Sequence, residues 1–236
     1  MDKKYTAIVL AAGKGTRMGS KTHKQYLLLN DKPVLYYSLK AFQDSDIDEI
    51  ILVTGKDEVS YCQKEIVDKY RLTKVVKTVE GGAERYDSVF CGLQAVENTD
   101  YVLIHDGARP FLDGQILERC KKAVQKDGAC VVGMPTKDTI KIADEKGYAA
   151  DTPRRDLVWN IQTPQCFAYP LIYNAYKEMM SKRAEYQNQN ITDDAMVVEY
   201  FSKHPVKLVE GSYRNIKITT PEDLQIAQLF VEELKK

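Results

Sequence analysis

Ala7-Ile8-Val9-Leu10-Ala11-Ala12-Gly13-Lys14-Gly15-Thr16-Arg17-Met18-Gly19, followed by Lys24-Gln25, is the stretch whose reading decides the fold. Its apolar, partly β-branched opening has the length and composition of a buried strand. That strand stops in a run of small residues, where little side-chain bulk stands between backbone N–H groups and a ligand. Such a turn can cradle phosphates, and Arg17 and Lys24 follow it closely enough to bring positive charge to a polyanion held there. The spacing matches neither common phosphate loop. The third glycine, Gly19, comes one residue too late for G-x-G-x-x-G, which disfavours a dinucleotide oxidoreductase, and no G-K-[ST] of a Walker loop is present.

Outward from this turn the chain alternates. Val34 to Phe42 carries Leu35, Leu39 and Phe42 on one helical face, and Glu49 to Thr54 is a strand. Val59 to Tyr70 is expected to be helical, Lys74 to Glu80 a strand, and Arg85 to Val96 a helix with apolar residues at Tyr86, Val89, Phe90, Leu93 and Val96. Tyr101 to His105 is again a buried strand. Asp113 caps a helix bearing Ile116, Leu117, Cys120, Ala123 and Val124, and Ala129 to Met134 forms the next strand. Later come a strand from Gln162 to Phe167 and a helix from Pro170 to about Ser181. A helix started by Thr192-Asp193-Asp194 follows, then a strand from Val206 to Val209 and a helix with Thr220 as its cap and Pro221 in its first position. Strands alternating with helices predict an α/β fold of three layers, Rossmann-like, around a mainly parallel mixed sheet. Its ligands should lie beyond the carboxyl ends of the strands.

The rhythm breaks once. Thr139 to Ala143 and Tyr148 to Thr152, joined by Asp144-Glu145-Lys146-Gly147, read as a polar β-hairpin protruding at about residues 136–158. A lone hairpin is marginal in water, so this arm is expected to pair with a second subunit of a homodimer. The whole of 1–236 is otherwise expected to be one domain.

Lys+Arg and Asp+Glu number 34 each, so the formal net charge is zero and neither nucleic acid nor a membrane surface is an expected partner. The N-terminus runs into the first strand without a signal-type apolar segment, and a cytoplasmic location is expected. Five cysteines are scattered without a C-x-x-C pair, which suits reduced thiols better than disulfides or zinc. Three dispersed histidines leave a hard, oxygen-bound cation as the expected metal.

At the expected strand ends stand the glycine turn with Arg17 and Lys24, Gly81-Gly82-Ala83-Glu84-Arg85 with Ser88, Asp106 with Arg109, the pair Thr139 and Arg155, and Lys217. A positive pocket with one well-placed carboxylate suits phosphoryl-type chemistry, which needs charge neutralisation more than a nucleophilic side chain.

Ten ordered motifs then carry a resemblance over nearly the whole chain: Leu10 to Gly19, Lys24-Gln-Tyr-Leu27, Glu80 to Arg85 with Asp87-Ser88-Val89, His105-Asp-Gly-Ala-Arg-Pro110, Pro135 to Lys141, Thr152-Pro-Arg-Arg155, Trp159, Gln162-Thr-Pro-Gln165, Thr192-Asp193, and Asn215 to Leu224. The sequence resembles the 2-C-methyl-D-erythritol 4-phosphate cytidylyltransferases, members of the sugar-phosphate nucleotidyltransferase superfamily. The resemblance implies that Ala11, Ala12, Gly13, Lys14 and Gly15 hold the triphosphate of CTP, and that Gly82 and Ser88 face its cytosine and ribose. It implies that Arg17, Lys24 and Lys217 neutralise charge at the reacting phosphorus, and that Asp106 organises Mg²⁺ and substrate. It further implies that Arg109, Thr139, Arg155 and Thr192, with Gly107 and Thr163, grip the acceptor, Thr139 and Arg155 reaching across from the partner's arm. His105 is read as a packed strand residue. Gly107 stands where many of these enzymes carry Ala, which brings the related ribitol-phosphate cytidylyltransferases forward as an alternative. Thr152-Pro-Arg-Arg155 and Trp159 favour the methylerythritol acceptor. A non-catalytic nucleotide-binding protein is the remaining alternative, disfavoured by so many cations at one place.

Overall fold

The computed structural model describes residues 3–13, 23–183 and 191–233. The glycine-turn residues Lys14, Gly15 and Arg17 lie outside the described residues.

Strand β1 (Tyr5–Ala11) opens the fold and is almost wholly buried. After it come a short hairpin of β2 (Leu28–Leu29) and β3 (Lys32–Pro33), helix α1 (Val34–Gln43), β4 (Glu49–Thr54) and α2 (Val59–Cys62), which widens into a π-type turn over Gln63–Asp68. Next are β5 (Val75–Glu80), α3 (Arg85–Ala95), β6 (Tyr101–Asp106), α4 (Gly114–Asp127) and β7 (Ala129–Pro135). The arm strands are β8 (Ile142–Ala143) and β9 (Ala149–Asp151). The chain ends with β10 (Trp159–Ala168), α5 (Tyr169–Ser181), α6 (Asp194–Ser202), β11 (Lys207–Glu210) and α7 (Pro221–Glu233).

Seven strands form one sheet in the order β11-β7-β10-β6-β1-β4-β5. Every neighbouring pair is parallel except those of β10, which runs antiparallel to both β6 and β7. β1 and β4 are almost continuously apolar because both faces are covered. Tyr5, Ala7 and Val9 point into one apolar layer with Leu35, Leu39 and Phe42 of α1 and Ile116, Leu117 and Val124 of α4. Ile8 points the other way, into a layer with Val89 and Leu93 of α3, Ile172 and Tyr176 of α5, and Val197 and Val198 of α6. The three-layer α/β expectation therefore holds, with a mixed sheet that is mainly parallel.

Local chemistry sets the ends of these elements. Asp113 accepts the backbone N–H of Ile116 and starts α4, and Gly128, at φ +74°, closes it in a conformation where a Cβ would be strained. At α3 the side chains of Glu84 and Asp87 exchange hydrogen bonds with each other's backbone in a capping box. A third, smaller apolar cluster joins Leu29 and Val34 to Ile218, Ala227 and Val231, folding α7 back onto the β2–β3 hairpin. That return brings Lys217 to the strand ends.

The arm is narrower than the sequence suggests. Only Ile142–Ala143 and Ala149–Asp151 pair, in an irregular register, and the turn is set by Asp144 Oδ1, which accepts from the N–H groups of Lys146 and Tyr148. Ile142, Tyr148 and Leu157 are exposed along it, Tyr148 to 72%. No helix among the described residues is long and apolar enough to cross a membrane.

Candidate active site

The carboxyl ends of β6, β1, β4 and β5 follow one another across the sheet, and the loops that leave β1, β5 and β6 make the site. At β1, Gln25 is buried and donates its Nε2 to the Ala11 carbonyl at 2.6 Å, so the half-buried Lys24 is tied to the strand end by its neighbour. Gly13 has open space where a side chain would be. Beside it, a Cβ on Gly81 would stand 2.8 Å from Ala12 Cβ and 2.6 Å from Ser88 Oγ, and one on Gly82 would collide with Asp87 at 2.2 Å. Small residues are needed here because the β1 turn, the β5 turn and the start of α3 touch. Ser88 Oγ donates to the Glu84 carbonyl at 3.2 Å and so braces the same loop.

The second half of the site is built on Asp106, at the end of β6. Its Oδ2 lies 3.0 Å from Lys217 Nζ and 3.4 Å from Arg109 Nε, and its Oδ1 lies 3.7 Å from Arg85 Nε. Burial alone would raise this carboxyl, but Lys217, Arg85 and Arg109 hold it well below the usual carboxylate range. Arg109 in turn donates to the Asn215 carbonyl at 2.7 Å, and Ile218 N–H donates to the Ala108 carbonyl at 2.9 Å. Lys217 thus reaches Asp106 because the segment carrying it is pinned on both sides to the loop after β6.

His105 behaves as a packed residue. Its Nε2 donates to the Arg109 carbonyl, its Nδ1 accepts from Thr163 Oγ1 at 3.0 Å, and burial lowers its pKa to about 4. Thr163 Oγ1 also accepts the Asp106 N–H at 3.1 Å, so this hydroxyl holds the strand end in shape. Gly107 donates its N–H to the Leu10 carbonyl and accepts from Ser38 Oγ. A Cβ there would stand 2.8 Å from both Leu10 O and Leu35 Cδ1.

Arg85 and Asp194 join the site without having been assigned a role from sequence. Arg85 NH1 and NH2 each donate to Asp194 at 2.8 Å, and Tyr176 OH donates to the same carboxylate at 2.5 Å. Burial would lower the Arg85 pKa, but the paired charge of Asp194 raises it instead. Gln165 completes the support, its Oε1 accepting the N–H groups of Asp194 and Ala195. A signal existed in the sequence: Thr192-Asp193-Asp194 offers two carboxylates to one helix start. Asp193 accepts the Met196 N–H, which leaves Asp194 free of capping duty and fully buried. Thr192, exposed beside them, donates to Met196 Sδ at 3.2 Å.

The structure therefore brings Ala12, Gly82 and Ser88 together at one side, and Asp106, Arg109, Thr163 and Lys217 at the other. Thr139 and Arg155 are not brought to them within this chain. Both lie exposed on the arm, where Arg155 NH1 donates to the Lys137 carbonyl at 3.4 Å.

With cations gathered at the carboxyl ends of a mainly parallel sheet, and no side chain among the described residues placed as a nucleophile there, the fold and the site define a nucleotidyl-transfer enzyme. A sequence model of the 2-C-methyl-D-erythritol 4-phosphate cytidylyltransferase (IspD) family matches residues 5–233. The chain belongs to that family. It is 51% identical to the 2-C-methyl-D-erythritol 4-phosphate cytidylyltransferase of Lachnoclostridium phytofermentans over 231 residues, 98% of this chain and 97% of that one. The crystal structure of 4-diphosphocytidyl-2C-methyl-D-erythritol synthase from Anaerococcus prevotii superposes with a TM-score of 0.84 at 37% identity, covering 98% and 96% of the two chains. The 2-C-methyl-D-erythritol 4-phosphate cytidylyltransferase of Thermus thermophilus gives 0.77 at 28% identity, covering 98% of this chain and 100% of its own.

Proposed function

We infer that this chain transfers the cytidylyl group of CTP to 2-C-methyl-D-erythritol 4-phosphate, releasing pyrophosphate. The observation that carries the reading is the meeting of Lys217, Arg109 and Arg85 on the single carboxylate of Asp106 at the strand ends. A phosphate oxygen of the acceptor attacks the α-phosphorus in line, and its own negative charge makes a general base unnecessary. Asp106, held ionised by its neighbours, does not shuttle a proton; it holds Lys217 in position. Lys217, Lys24 and Arg17 supply the positive charge that the crowded phosphorus and the leaving pyrophosphate require.

Asp106 also fits the expected Mg²⁺. Its Oδ2 is engaged by Lys217, while Oδ1 stands 3.7 Å from Arg85, beyond hydrogen-bond length, and one carboxylate shared with substrate phosphates is a common Mg²⁺ donor set. When bound, the ion neutralises charge on the triphosphate.

Ala11 to Gly15 hold the triphosphate, Gly82 and Ser88 face the nucleoside, and Arg109, Thr163 and Thr192 line the acceptor side. Gly107 was the feature favouring ribitol phosphate. The position its side chain would take is filled by Leu10 and Leu35, so an Ala there alters packing rather than the acceptor. Thr139 and Arg155 act in the partner's site of a homodimer closed by the exposed Ile142, Tyr148 and Leu157 of the arm. A soluble chain with these substrates belongs in the cytoplasm.

Pyrophosphate release measured with CTP and each acceptor separately tests the reaction, and a preference for ribitol 5-phosphate overturns the acceptor. Mixing tests the arm. Lys217→Ala and Arg155→Ala homodimers are each inactive, but a mixed dimer keeps one intact site, so random exchange restores about a quarter of the wild-type sites. No recovery after proven subunit exchange refutes the crossed arm.

A further inference from the structure

Away from the strand ends, on the sheet face covered by α4, three thiols meet. Cys120 comes from the buried side of α4, Cys130 from β7 and Cys166 from β10, and the two strand cysteines are direct antiparallel partners. All three are fully buried, and their sulfur atoms lie within 4.8 Å of one another. A single thiol in a core packs as a small hydrophobe. Three sulfurs converging from three elements are a tridentate ligand set. Thiolate bonds to a shared centre run to about 2.3 Å, which spaces three sulfurs about 4 Å apart. Small side-chain adjustments reach that.

Charge decides what such a set can hold. Leu117, Val124 and Val132 belong to the same apolar cluster. A zinc site wants a fourth ligand, and the group of candidate ligands has only three members among the described residues. A divalent or cuprous ion would also leave uncompensated thiolate charge in this core, at high cost. Burial pushes the Cys166 thiol well above the ordinary range, and the hydrogen bond with Cys120 raises Cys130, while Cys120 is drawn the other way by its two neighbours. A trivalent element that forms three covalent bonds to sulfur escapes this penalty, because its trithiolate is neutral.

We propose that Cys120, Cys130 and Cys166 form a capture site for trivalent arsenic, taken up as arsenous acid. Three As–S bonds form and three As–O bonds break. The three thiol protons leave with the hydroxides as water, and no oxidation state changes. Entry requires α4 to lift from β7 and β10, so uptake follows local opening and is slow. Once formed, the adduct ties α4 to both strands.

The test incubates the reduced full-length protein with arsenite, removes the excess and measures intact mass under native conditions. One arsenic per chain, with loss of three hydrogens, is expected, and arsenic X-ray absorption should show three sulfur neighbours in the wild-type protein. Cys62→Ala and Cys91→Ala should retain the adduct. Cys120→Ala and Cys166→Ala leave two thiols and should release arsenic at least about tenfold faster, since the third intramolecular bond is lost. Absence of an adduct, two sulfur neighbours instead of three, or equal retention in Cys120→Ala would overturn the site. The absorption measurement needs no variant, so a core loosened by alanine cannot obscure the answer.

Discussion

Replacing Asp194 by Asn isolates the ion pair that couples the start of α6 to the Asp106 loop. Asp194 is fully buried and receives two bonds of 2.8 Å from Arg85 and one of 2.5 Å from Tyr176. An amide is nearly the same size, but it presents an NH₂ group to a guanidinium donor and removes the counter-charge bonded directly to the cation. Breaking a buried pair in this way costs roughly 3–5 kcal/mol. The Arg85 side chain retains 30% exposure and has Asp106 Oδ1 at 3.7 Å, so the loss should fall at the low end, about 3 kcal/mol. Urea unfolding followed by circular dichroism reads it directly. Arg85→Met should cost a similar amount, because it strands a buried carboxylate. The double variant removes both charges and should cost at least about 2 kcal/mol less than the sum of the singles. Pyrophosphate release should fall in Asp194→Asn as Arg85 is released toward Asp106. A loss below about 1 kcal/mol, no more than an ordinary hydrogen bond contributes, or strict additivity in the double variant, refutes the coupling.

Lys217→Ala should lower the rate of pyrophosphate release about 10²- to 10³-fold, the usual cost of one preorganised electrostatic group, with unchanged circular dichroism; a near-normal rate removes Lys217 from the reaction. His105 has a folded pKa of about 4 against an ordinary 6.5, so between those values the unfolded chain binds more protons and stability falls as pH falls. The His105 contribution is about 2 kcal/mol between pH 7 and pH 5, and His105→Gln should flatten urea-unfolding stability over that interval. Asp106, whose carboxyl is held below its ordinary value of 3.8, loses its contribution only at lower pH and does not compete in this window. Gly92→Ala should destabilise by about 1–3 kcal/mol, because the new methyl would stand 2.5 Å from Ile8 Cγ2 where α3 crosses β1; an unchanged melting temperature would show that the helix can shift at little cost.

The sequence by itself determined the layers and most of the element boundaries. Val34 to Phe42, Glu49 to Thr54 and Ala129 to Met134 are legible because periodicity and apolar runs are local properties, and Asp113 marks the start of α4 by a bond made three residues away. The candidate site was legible as a set of motifs, but only the tertiary structure decided which of them meet. Lys217 reaches Asp106 because Asn215 and Ile218 are pinned to the Arg109 loop, and Asp194 finds Arg85 because α3 and α6 pack on the same sheet face. The three thiols of α4, β7 and β10 were unreadable for the same reason. Their proximity follows from sheet order, with β10 inserted antiparallel between β6 and β7. Strand order is chosen by the packing energy of the whole core, and no local pattern along a chain encodes that sum.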